Sequence, residues 1–584
     1  MKRRALILAA CLLSAGLHAQ SYAERDCFLT ADPAEWAGEK GTRAAWGSTD
    51  IRYSPVGVPA RQDKTLTLTG WRGETVYAQA VVWTADGGDI SFSLSDLRGS
   101  DAVIPAAGCE AGFVRPVVVD KYDTMTDGCY KGYMGEPMDA FDSTMVADII
   151  DPALKVYSVK ARQTRGIWIS CPIPRDVPAG LYKGILSVFS DGRRIASLPL
   201  TVRAHTRTLP HWKDWSYHLD LWINPFTCAD FAGVPYWSDA HWAILRPYAE
   251  RLARSGQKCI TATMMHHPWG SGTGTAANFS SMISWIRRAD GTWQWDYDIF
   301  DRYVQFMMDC GISEQISCYS MAPWNYQFRY YDERTGDFSL LKASPDSPEY
   351  EEVFTAFLHD FAAHLRGKGW FEKTAIASDE RPLDQMQALI KVVRKAEPVF
   401  KLALAGFEHL PEIDGDIYDY SLASYKDFPK GRIEQRREAG LKSTFYICCP
   451  EIHPNRYIFS DPIEQVYISY NMFVRGADGF LCWAVIHWPR TGVNPLVDGR
   501  YDIWYPGESY MLYPGNRTSI RFERLVEGIQ DYEKLRILLS EGRSDISAAL
   551  APLRRMAYGP DRYTIPDRHA VPELIYNVKK LMNK

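Results

Sequence analysis

Residues 374–382, Thr-Ala-Ile-Ala-Ser-Asp-Glu-Arg-Pro, contain the pattern on which the fold assignment depends. A short apolar run ends in two carboxylic acids, Asp379 and Glu380, and a helical pattern begins just beyond Pro382. The run is too short for a helix and is typical of a buried strand. A strand that leads into a helix indicates a parallel sheet, and the carboxyl ends of such strands carry the functional residues of a barrel.

Seven other runs after Trp212 repeat this pattern, and amphipathic helices fit between most of them. In chain order the eight predicted strands are Tyr217–Ile223, Lys258–Met264, Gln315–Met321, Thr374–Asp379, Lys401–Gly406, Tyr418–Ser424, Ser443–Cys449 and Gly479–Val485. The predicted helices are Ala240–Arg254, Tyr297–Cys310, Tyr350–Leu365, Leu383–Lys395, Pro462–Val474 and Arg521–Leu539. This order predicts a closed (β/α)8 TIM-type barrel, in which the fifth and sixth strands are joined by only a short turn of helix.

Before Leu209 the pattern changes to short alternating strands that are separated by turn residues. The predicted strands are Lys64–Thr69, Thr75–Thr84, Ile90–Leu94, Phe113–Val119, Gly166–Cys171, Gly184–Phe189 and Ile195–Val202. No convincing long helix interrupts them, so we expect an antiparallel β-sandwich. Because 584 residues exceed one ordinary core, we predict two domains, a β-sandwich over 24–208 and a catalytic barrel with C-terminal helices over 209–584. The sandwich could bind sugars or only support the barrel.

The first 23 residues are typical of an export signal. Three basic residues precede an apolar run that is too short to span a bilayer, and small residues follow near Ala19 and Ala23. Cys11 lies in a sequence that resembles a lipid-attachment box, but few apolar residues precede it. We therefore expect a periplasmic or secreted protein in preference to a cell-surface lipoprotein, with no integral membrane span.

Composition narrows the possible functions further. The net charge of -5 gives no reason to expect nucleic acid as a partner. The eleven cysteines that follow the predicted signal are scattered and do not resemble a disulfide framework. The chain contains 19 Trp and 33 Tyr, whose flat faces suit stacking on sugar rings, although most of them must serve packing.

Residues of the kind found in sugar-binding sites follow every predicted barrel strand, and in a barrel these positions converge on one cleft. In chain order they are Trp222 and Asn224; His266, His267 and Trp269; Tyr319, Trp324 and Tyr326; Asp379 and Glu380; Glu408; Tyr425; Glu451 and His453; and Trp483, His487 and Trp488. Any one of them could be a packing residue. Their recurrence around the ring favours a carbohydrate site.

The acidic pair has two interpretations. Adjacent carboxylates repel, so one tends to keep its proton while the other stays ionised, which suits cleavage of a sugar bond. Alternatively, Asp379 and Glu380 could simply complement the dipole of the helix that follows. Side chains of successive strand residues point to opposite faces, so both carboxylates can reach one cleft only if a bulge or turn interrupts the strand there. We predict such an interruption.

Four passages resemble glycoside hydrolase family 123, the β-N-acetylgalactosaminidases. They are residues 176–184 (Asp-Val-Pro-Ala-Gly-Leu-Tyr-Lys-Gly), 378–382 (Ser-Asp-Glu-Arg-Pro), 479–484 (Gly-Phe-Leu-Cys-Trp-Ala) and 519–533 (Ser-Ile-Arg-Phe-Glu-Arg-Leu-Val-Glu-Gly-Ile-Gln-Asp-Tyr-Glu). The last is the most specific, although it relates to fold more than to chemistry. The resemblance extends over most of the chain after the predicted signal.

This resemblance implies an exo-acting, retaining hydrolase that releases terminal β-linked N-acetylgalactosamine from glycans or glycolipids. The substrate's own acetamido oxygen would act as nucleophile and form an oxazolinium-type intermediate. Glu380 would be the general acid and then the base, while ionised Asp379 would hold the acetamido N–H and offset the developing charge. The galacto configuration follows from the resemblance alone.

Further site residues complete this hypothesis. Tyr425, or else Tyr446, would donate its hydroxyl to the acetamido oxygen, and Trp324 or Trp483 would form a platform under the sugar. Asn224, Tyr319 and His487 are further candidates for substrate contacts.

Two alternative functions remain open. A conventional glycosidase would use Glu380 as acid and Glu451 or Glu408 as nucleophile, whereas an inactive barrel would only bind glycans through its tryptophans. We expect no cofactor and no metal, because His266 and His267 lack the spacing and the acidic partner of a zinc site.

Overall fold

The structure is a computed structural model that describes residues 24–60, 62–120, 142–269, 279–447, 453–488, 494–500, 505–557 and 568–584. The predicted signal at 1–23 and the candidate Glu451 lie outside these ranges. The chain forms two compact units. The first unit comprises Met1–Trp215, Cys449–Val474 and Gly492–Lys584, and the second comprises Ser216–Cys448 and Arg475–Thr491.

The first unit contains two β-sheets. One has the strand order Thr42–Trp46, Thr75–Thr84, Gln163–Pro172, Glu110–Asp120, Ser143–Asp151 and Thr518–Ser519. The other has the order Leu66–Arg72, Arg193–Thr208, Gly180–Ser190, Gly88–Leu94 and Val156–Val159. Leu97–Arg98 pairs with Gly180–Ser190, and Val103–Ile104 pairs with Leu97–Arg98. All pairs are antiparallel except Leu66–Arg72 with Arg193–Thr208.

Apolar side chains from both sheets share one buried core, as expected of a β-sandwich. Trp46 and Ile167 come from one sheet and Leu186 and Val202 from the other. The seven predicted strands are confirmed: Thr75–Thr84 has the predicted ends, and the other six differ at one or both ends. A two-residue turn at Asp191 and Gly192, both with positive φ, joins Gly180–Ser190 to Arg193–Thr208, which is the geometry that tight hairpins prefer.

Five α-helices belong to the described part of the first unit: Pro33–Trp36, Ile463–Val474, Ile520–Ser540, Ser544–Ala557 and Val571–Met582. Helix Ile520–Ser540 packs on Ile463–Val474. Gly528 permits the close approach, because a Cβ at this position would lie only 2.7 Å from the carbonyl oxygen of Val466. The polar side chains of helix Ile520–Ser540 pair with residues such as Glu74 and Asp148 of the first unit.

The second unit is built on eight parallel strands: His218–Leu221, Cys259–Thr263, Gln315–Tyr319, Thr374–Asp379, Lys401–Gly406, Asp419–Ala423, Lys442–Tyr446 and Gly479–Cys482. From the second strand to the eighth, each strand pairs with the next in the chain, and the eighth pairs with the first. A bridge between Leu219 and Gln257 brings the first strand beside the second, so the sheet is nearly closed. The predicted TIM-type barrel is therefore confirmed.

The helices of the second unit are Pro225–Ala232, Asp239–Arg254, Asp298–Asp309, Pro348–Lys368, Leu383–Ala396 and Arg432–Glu438. The fifth and sixth strands are joined by turns without a helix. A small sheet that sequence analysis did not predict contains Trp293–Asp296, Ser284–Arg287, Gln327–Asp332 and Asp337–Lys342, in that order. Its strands lie in the connections that follow the second and third barrel strands.

Among the residues that the structure describes, no helix has the length and apolar character needed to cross a membrane.

Candidate active site

The acidic pair lies where the fourth barrel strand ends. Asp379 is the last residue of the strand and pairs with Ala405 of the fifth strand, and the Glu380 N–H donates to the Ala405 carbonyl at 2.7 Å. Glu380 then has a φ of 46°, a left-handed conformation that few residues other than glycine adopt. The chain therefore turns at Glu380, which supplies the predicted interruption of the strand. Both residues keep partial exposure to solvent.

The seventh strand contributes a partner for Glu380. Its last residue, Tyr446, is almost fully buried, and its hydroxyl donates to Glu380 Oε1 at 2.6 Å. A short hydrogen bond to a carboxyl group is among the stronger polar contacts in proteins and restricts the orientation of that group. Tyr446 therefore holds Glu380 in place.

The carboxyl of Asp379 is bounded by Trp324 and Arg381. The Trp324 indole N–H donates to it, while the Arg381 guanidinium lies 5.3 Å from the Trp324 ring and donates to the Asp379 carbonyl oxygen. Burial of the carboxyl and the neighbouring charge of Glu380 raise the pKa of Asp379 well above its ordinary value, and Arg381 opposes this only in part. The surroundings of Asp379 therefore favour the protonated carboxyl more than water does.

An aromatic cluster fills the carboxyl-terminal end of the barrel interior around these carboxylates. Trp222 lies 4.5 Å from Tyr319 and 5.1 Å from Trp269, measured between ring centroids. The same cluster includes Tyr446, and the half-buried Tyr425 and Trp483 pack against it. Inward-facing positions of the fourth to sixth strands carry alanines, namely Ala375, Ala377, Ala403, Ala405 and Ala423. Their small side chains leave room beside the aromatic rings.

The predicted site residues occupy three kinds of position. Trp324 contacts Asp379 and is 37% exposed, so its face can accept a ligand, whereas Tyr319 is buried in the aromatic cluster. Asn224 and His487 are fully buried and hydrogen-bonded to each other at 3.0 Å. Asn224 also caps helix Pro225–Ala232, and the His487 ring lies 5.0 Å from that of Trp483. The side chains of Asn224 and His487 are therefore engaged with each other, with helix Pro225–Ala232 and with Trp483.

Two further candidates lie on the rim. Tyr425 packs against Phe407 with ring centroids 5.6 Å apart, and the Lys426 ammonium lies over its ring. Glu408, the alternative nucleophile that the structure describes, is exposed after the fifth strand. No described contact joins Glu408 to the acidic pair, which gives the conventional mechanism no geometric support from this residue.

Asp220 is a buried carboxylate inside the barrel that sequence analysis overlooked. It shares the inward face of the first strand with His218 and Trp222, and its Oδ2 accepts a hydrogen bond from the Trp222 indole at 3.2 Å. Burial, together with the charge of Asp419, raises the pKa of Asp220 to about 7. An acidic residue between two leucines, in register with inward-facing neighbours, was the sequence signal that could have identified it.

The amino-terminal end of the barrel holds a second polar group of side chains. Asp419 Oδ2 accepts from Gln315 Nε2 at 2.8 Å and lies 2.9 Å from His218 Nε2, while Cys259 Sγ lies 3.6 Å from the same histidine nitrogen. His218, Cys259 and Asp419 have the donor types of a metal site. However, the contacts of Asp419 are those of a hydrogen-bonded cluster, and all four residues begin strands, at the opposite end from Glu380.

Comparison with protein families identifies both parts of the chain. Residues 222–538, more than half of the sequence, match the catalytic domain of glycoside hydrolase family 123, and residues 46–190 match the N-terminal domain of that family. Among curated protein sequences, none matches this chain significantly.

Comparison with solved structures agrees at the level of fold. A family 123 glycoside hydrolase from Clostridium perfringens, whose structure addresses glycolipid glycan hydrolysis, is similar over 93% of this chain and 97% of its own, with a TM-score of 0.81 and 23% identity. A family 39 glycoside hydrolase from Bacteroides cellulosilyticus WH2 covers 80% of this chain and 82% of its own at 9% identity. Its TM-score of 0.32 is too low to support an argument.

The β-sandwich, the closed barrel and the acidic pair at a strand end thus occur in a chain that both family domains match. The chain belongs to glycoside hydrolase family 123 and is a glycoside hydrolase.

Proposed function

We propose that this enzyme is an exo-acting, retaining β-N-acetylgalactosaminidase that uses the acetamido group of its substrate as the nucleophile. The observation that carries the proposal is the pair of neighbouring carboxyl groups, each with its own hydrogen-bond donor. Glu380 is held by Tyr446, and Asp379 is held by Trp324. Two carboxyl groups that follow each other in the chain suit this mechanism, because the protein itself supplies no nucleophile on the opposite face of the sugar.

In the first step the acetamido oxygen attacks the anomeric carbon and the bond to the departing oxygen breaks. Glu380 donates its proton to that oxygen, so the leaving group departs as an alcohol. Asp379 accepts a hydrogen bond from the acetamido N–H and, as an anion, stabilises the positive charge of the oxazolinium ring. In the second step Glu380 removes a proton from water, which attacks the anomeric carbon and reopens the ring with net retention.

The raised pKa of Asp379 fits this role if substrate binding drives its ionisation. The Asp379 carboxyl has only the Trp324 N–H as a described donor, and the nearby Glu380 disfavours a second charge. A bound acetamido N–H would add a hydrogen-bond donor and so favour ionised Asp379. The positive charge that forms on the sugar, as Glu380 gives its proton to the leaving group, would favour the ionised form further. We assign Tyr446 to orient Glu380 and keep Tyr425 as the candidate donor to the acetamido oxygen.

The substrate class can be tested by hydrolysis of three aryl glycosides. We expect rapid release from β-N-acetylgalactosaminide, slower release from the glucosamine epimer, and no release from the plain galactoside, which lacks the nucleophile. Faster release from the plain galactoside would overturn the mechanism. A thiazoline-fused inhibitor that mimics the cyclic intermediate should compete with substrate, whereas a conventional two-carboxylate enzyme would bind it weakly.

We also propose that terminal N-acetylgalactosamine is removed from glycans or glycolipids outside the cytoplasm. The apolar leader at residues 1–23 supports export. The similar Clostridium perfringens hydrolase, which is associated with glycolipid glycan hydrolysis, supports the substrate class. Determination of the amino terminus of the protein recovered from cells tests export, because an intact Met1 would contradict it.

A further inference from the structure

A pocket on the segments that follow the second and third barrel strands is separate from the residues that the proposed mechanism uses. It has a volume of about 320 Å³, the size of a small ligand site, and its lining includes His266, His267, Asn325, Gln327, Arg329 and Phe338. These residues follow the second and third barrel strands or lie in the small four-stranded sheet. All of them belong to the second unit.

Two consecutive residues, Trp324 and Asn325, link Asp379 to this pocket. Asn325 lines the pocket, and the preceding residue, Trp324, donates to Asp379. The second, third and fourth strands are neighbours in the barrel, so the segments that follow them share its carboxyl-terminal face. A substrate whose terminal sugar reaches Asp379 can therefore place its next sugar in this pocket.

Arg329 gives the pocket a cation without an ion-pair partner among the described residues. Its guanidinium lies 3.9 Å from the centroid of the exposed Phe338 ring, and its backbone is fixed by pairing with Leu340 across the hairpin. Other arginines of the same region do have carboxylate partners within hydrogen-bond distance. Arg288 contacts Glu333 at 2.8 Å, and Arg334 contacts Asp332 at 2.7 Å. Arg329 thus remains available to an anion from outside.

The remaining surface of the pocket suits a sugar. Phe338 and Leu340 are 57% and 52% exposed and offer apolar faces, while Asn325 and Gln327 offer amide groups. Burial, His267 and Arg329 lower the pKa of His266 to about 4, so this imidazole is neutral at ordinary pH and can both donate and accept hydrogen bonds. Arg329 is then the charged group that can select an anionic ligand.

We propose that this pocket binds the sugar that carries the departing oxygen and that Arg329 recognises an anionic substituent, a carboxylate or a sulfate ester, on that sugar. The proposal rests on the proposed function for its placement of the terminal sugar. A guanidinium on a rigid hairpin can bind either anion through paired N–H donors. The enzyme would accordingly prefer acidic over neutral glycans.

The test compares three disaccharides in which β-N-acetylgalactosamine is linked to glucose, to glucuronate or to glucose 6-sulfate. The readout is the ratio of kcat/KM for each acidic substrate to that for the neutral one. We expect a ratio of about 10 to 100 for the native enzyme and a ratio near one for Arg329→Ala, with an intermediate value for Arg329→Lys. Arg288→Ala, which removes a paired arginine of the same region, should leave the ratio unchanged.

The two acidic substrates distinguish carboxylate from sulfate as the preferred anion. An unchanged ratio in Arg329→Ala with both acidic substrates would overturn the proposal. Calorimetric binding of the glucuronate disaccharide to Glu380→Gln, with and without Arg329→Ala, separates this proposal from the proposed function. If no disaccharide is hydrolysed but Arg329→Ala weakens binding about 10-fold, only the proposed function fails. If hydrolysis occurs and Arg329→Ala changes neither ratio nor binding, only the pocket assignment fails.

Discussion

Asp148 of the first unit and Asp220 of the barrel are both buried, but the pKa of one is lowered and that of the other is raised. In the first unit, Asp148 contacts the guanidinium groups of Arg52 and Arg521 and accepts a hydrogen bond from Tyr513. Burial opposes ionisation, but the two arginines more than offset it and lower the pKa of Asp148. In the barrel, Asp220 has only an indole N–H as a described donor, and its pKa rises to about 7.

This difference separates carboxylates that stabilise a fold from carboxylates that can exchange protons. A paired aspartate stays ionised throughout the physiological range and fixes the elements that it joins. A buried aspartate that forms no ion pair can gain or lose its proton near neutral pH. This property suits a carboxyl group that takes part in acid–base chemistry. Asp379 resembles Asp220 in this respect, because burial and Glu380 raise its pKa.

The largest expected effect concerns Glu380. Replacement by Gln keeps the size of the side chain but removes the transferable proton, so we expect kcat/KM on aryl β-N-acetylgalactosaminide to fall at least about 10³-fold. Glu408→Gln is the matched control, since Glu408 also follows a barrel strand but lies exposed. Equal losses in both variants would favour the conventional two-carboxylate mechanism and would place the exposed residue in the active site.

The second prediction concerns the paired carboxylate of the first unit. Arg521→Met should lower the free energy of unfolding by about 3–5 kcal/mol, because Asp148 is left buried beside only one arginine. Arg98→Met removes the partner of the exposed Asp96 in the same unit and should cost less than about 1 kcal/mol. Chemical denaturation followed by circular dichroism measures both values. Similar losses would mean that the buried pair has no special role in stability.

The third prediction tests the unpaired carboxylate. Because the folded state raises the pKa of Asp220, its proton favours folding at low pH, and this contribution is lost as pH rises from about 4 through about 7. Asp220→Asn keeps an acceptor for Trp222 and removes the charge. We expect its stability advantage over the native protein to grow by about 2–3 kcal/mol between pH 5 and pH 8. A stability difference that does not depend on pH would show that Asp220 does not titrate in this range.

The smallest expected effect concerns the orientation of Glu380. Tyr446→Phe removes one hydroxyl, and we expect kcat to fall about 10-fold because the general acid becomes less well oriented. Tyr303→Phe is the control, because the buried hydroxyl of Tyr303 has no hydrogen-bond partner among the described residues. Steady-state kinetics on the aryl substrate measure kcat for both variants. An unchanged kcat in Tyr446→Phe would show that Tyr446 does not orient the general acid.

Local sequence patterns were sufficient for the repeating parts of the fold. The fourth and fifth barrel strands begin and end at the predicted residues, Thr374–Asp379 and Lys401–Gly406, because their apolar runs are bounded by polar or flexible residues. The small sheet was missed, since strands such as Gln327–Asp332 are largely polar or exposed and lack a buried alternating face. The buried ion pairs of helix Ile520–Ser540 with Asp148 and Glu74 could not be predicted either, because chain order does not reveal which charged partners a helix will meet.

Local sequence also indicated some residues of the candidate site but not the contacts between them. Asp379 and Glu380 were predicted as site residues because their chemistry and their place after a strand are visible in the sequence. The contact of Tyr446 with Glu380 depends on the distance between the fourth and seventh strands, which no local pattern encodes. Asp220 was not predicted, because an acidic residue in an apolar strand is expected to face solvent. Its burial follows only from closure of the barrel.

The positive φ of Glu380 has a consequence for evolution and for engineering. A glutamate in this conformation costs roughly 1 kcal/mol relative to glycine, which adopts it without steric penalty. Selection for thermal resistance alone would therefore favour glycine or asparagine at position 380 and would discard the proposed proton donor. If Glu380 is that donor, it is a stability–activity trade-off at a single backbone position.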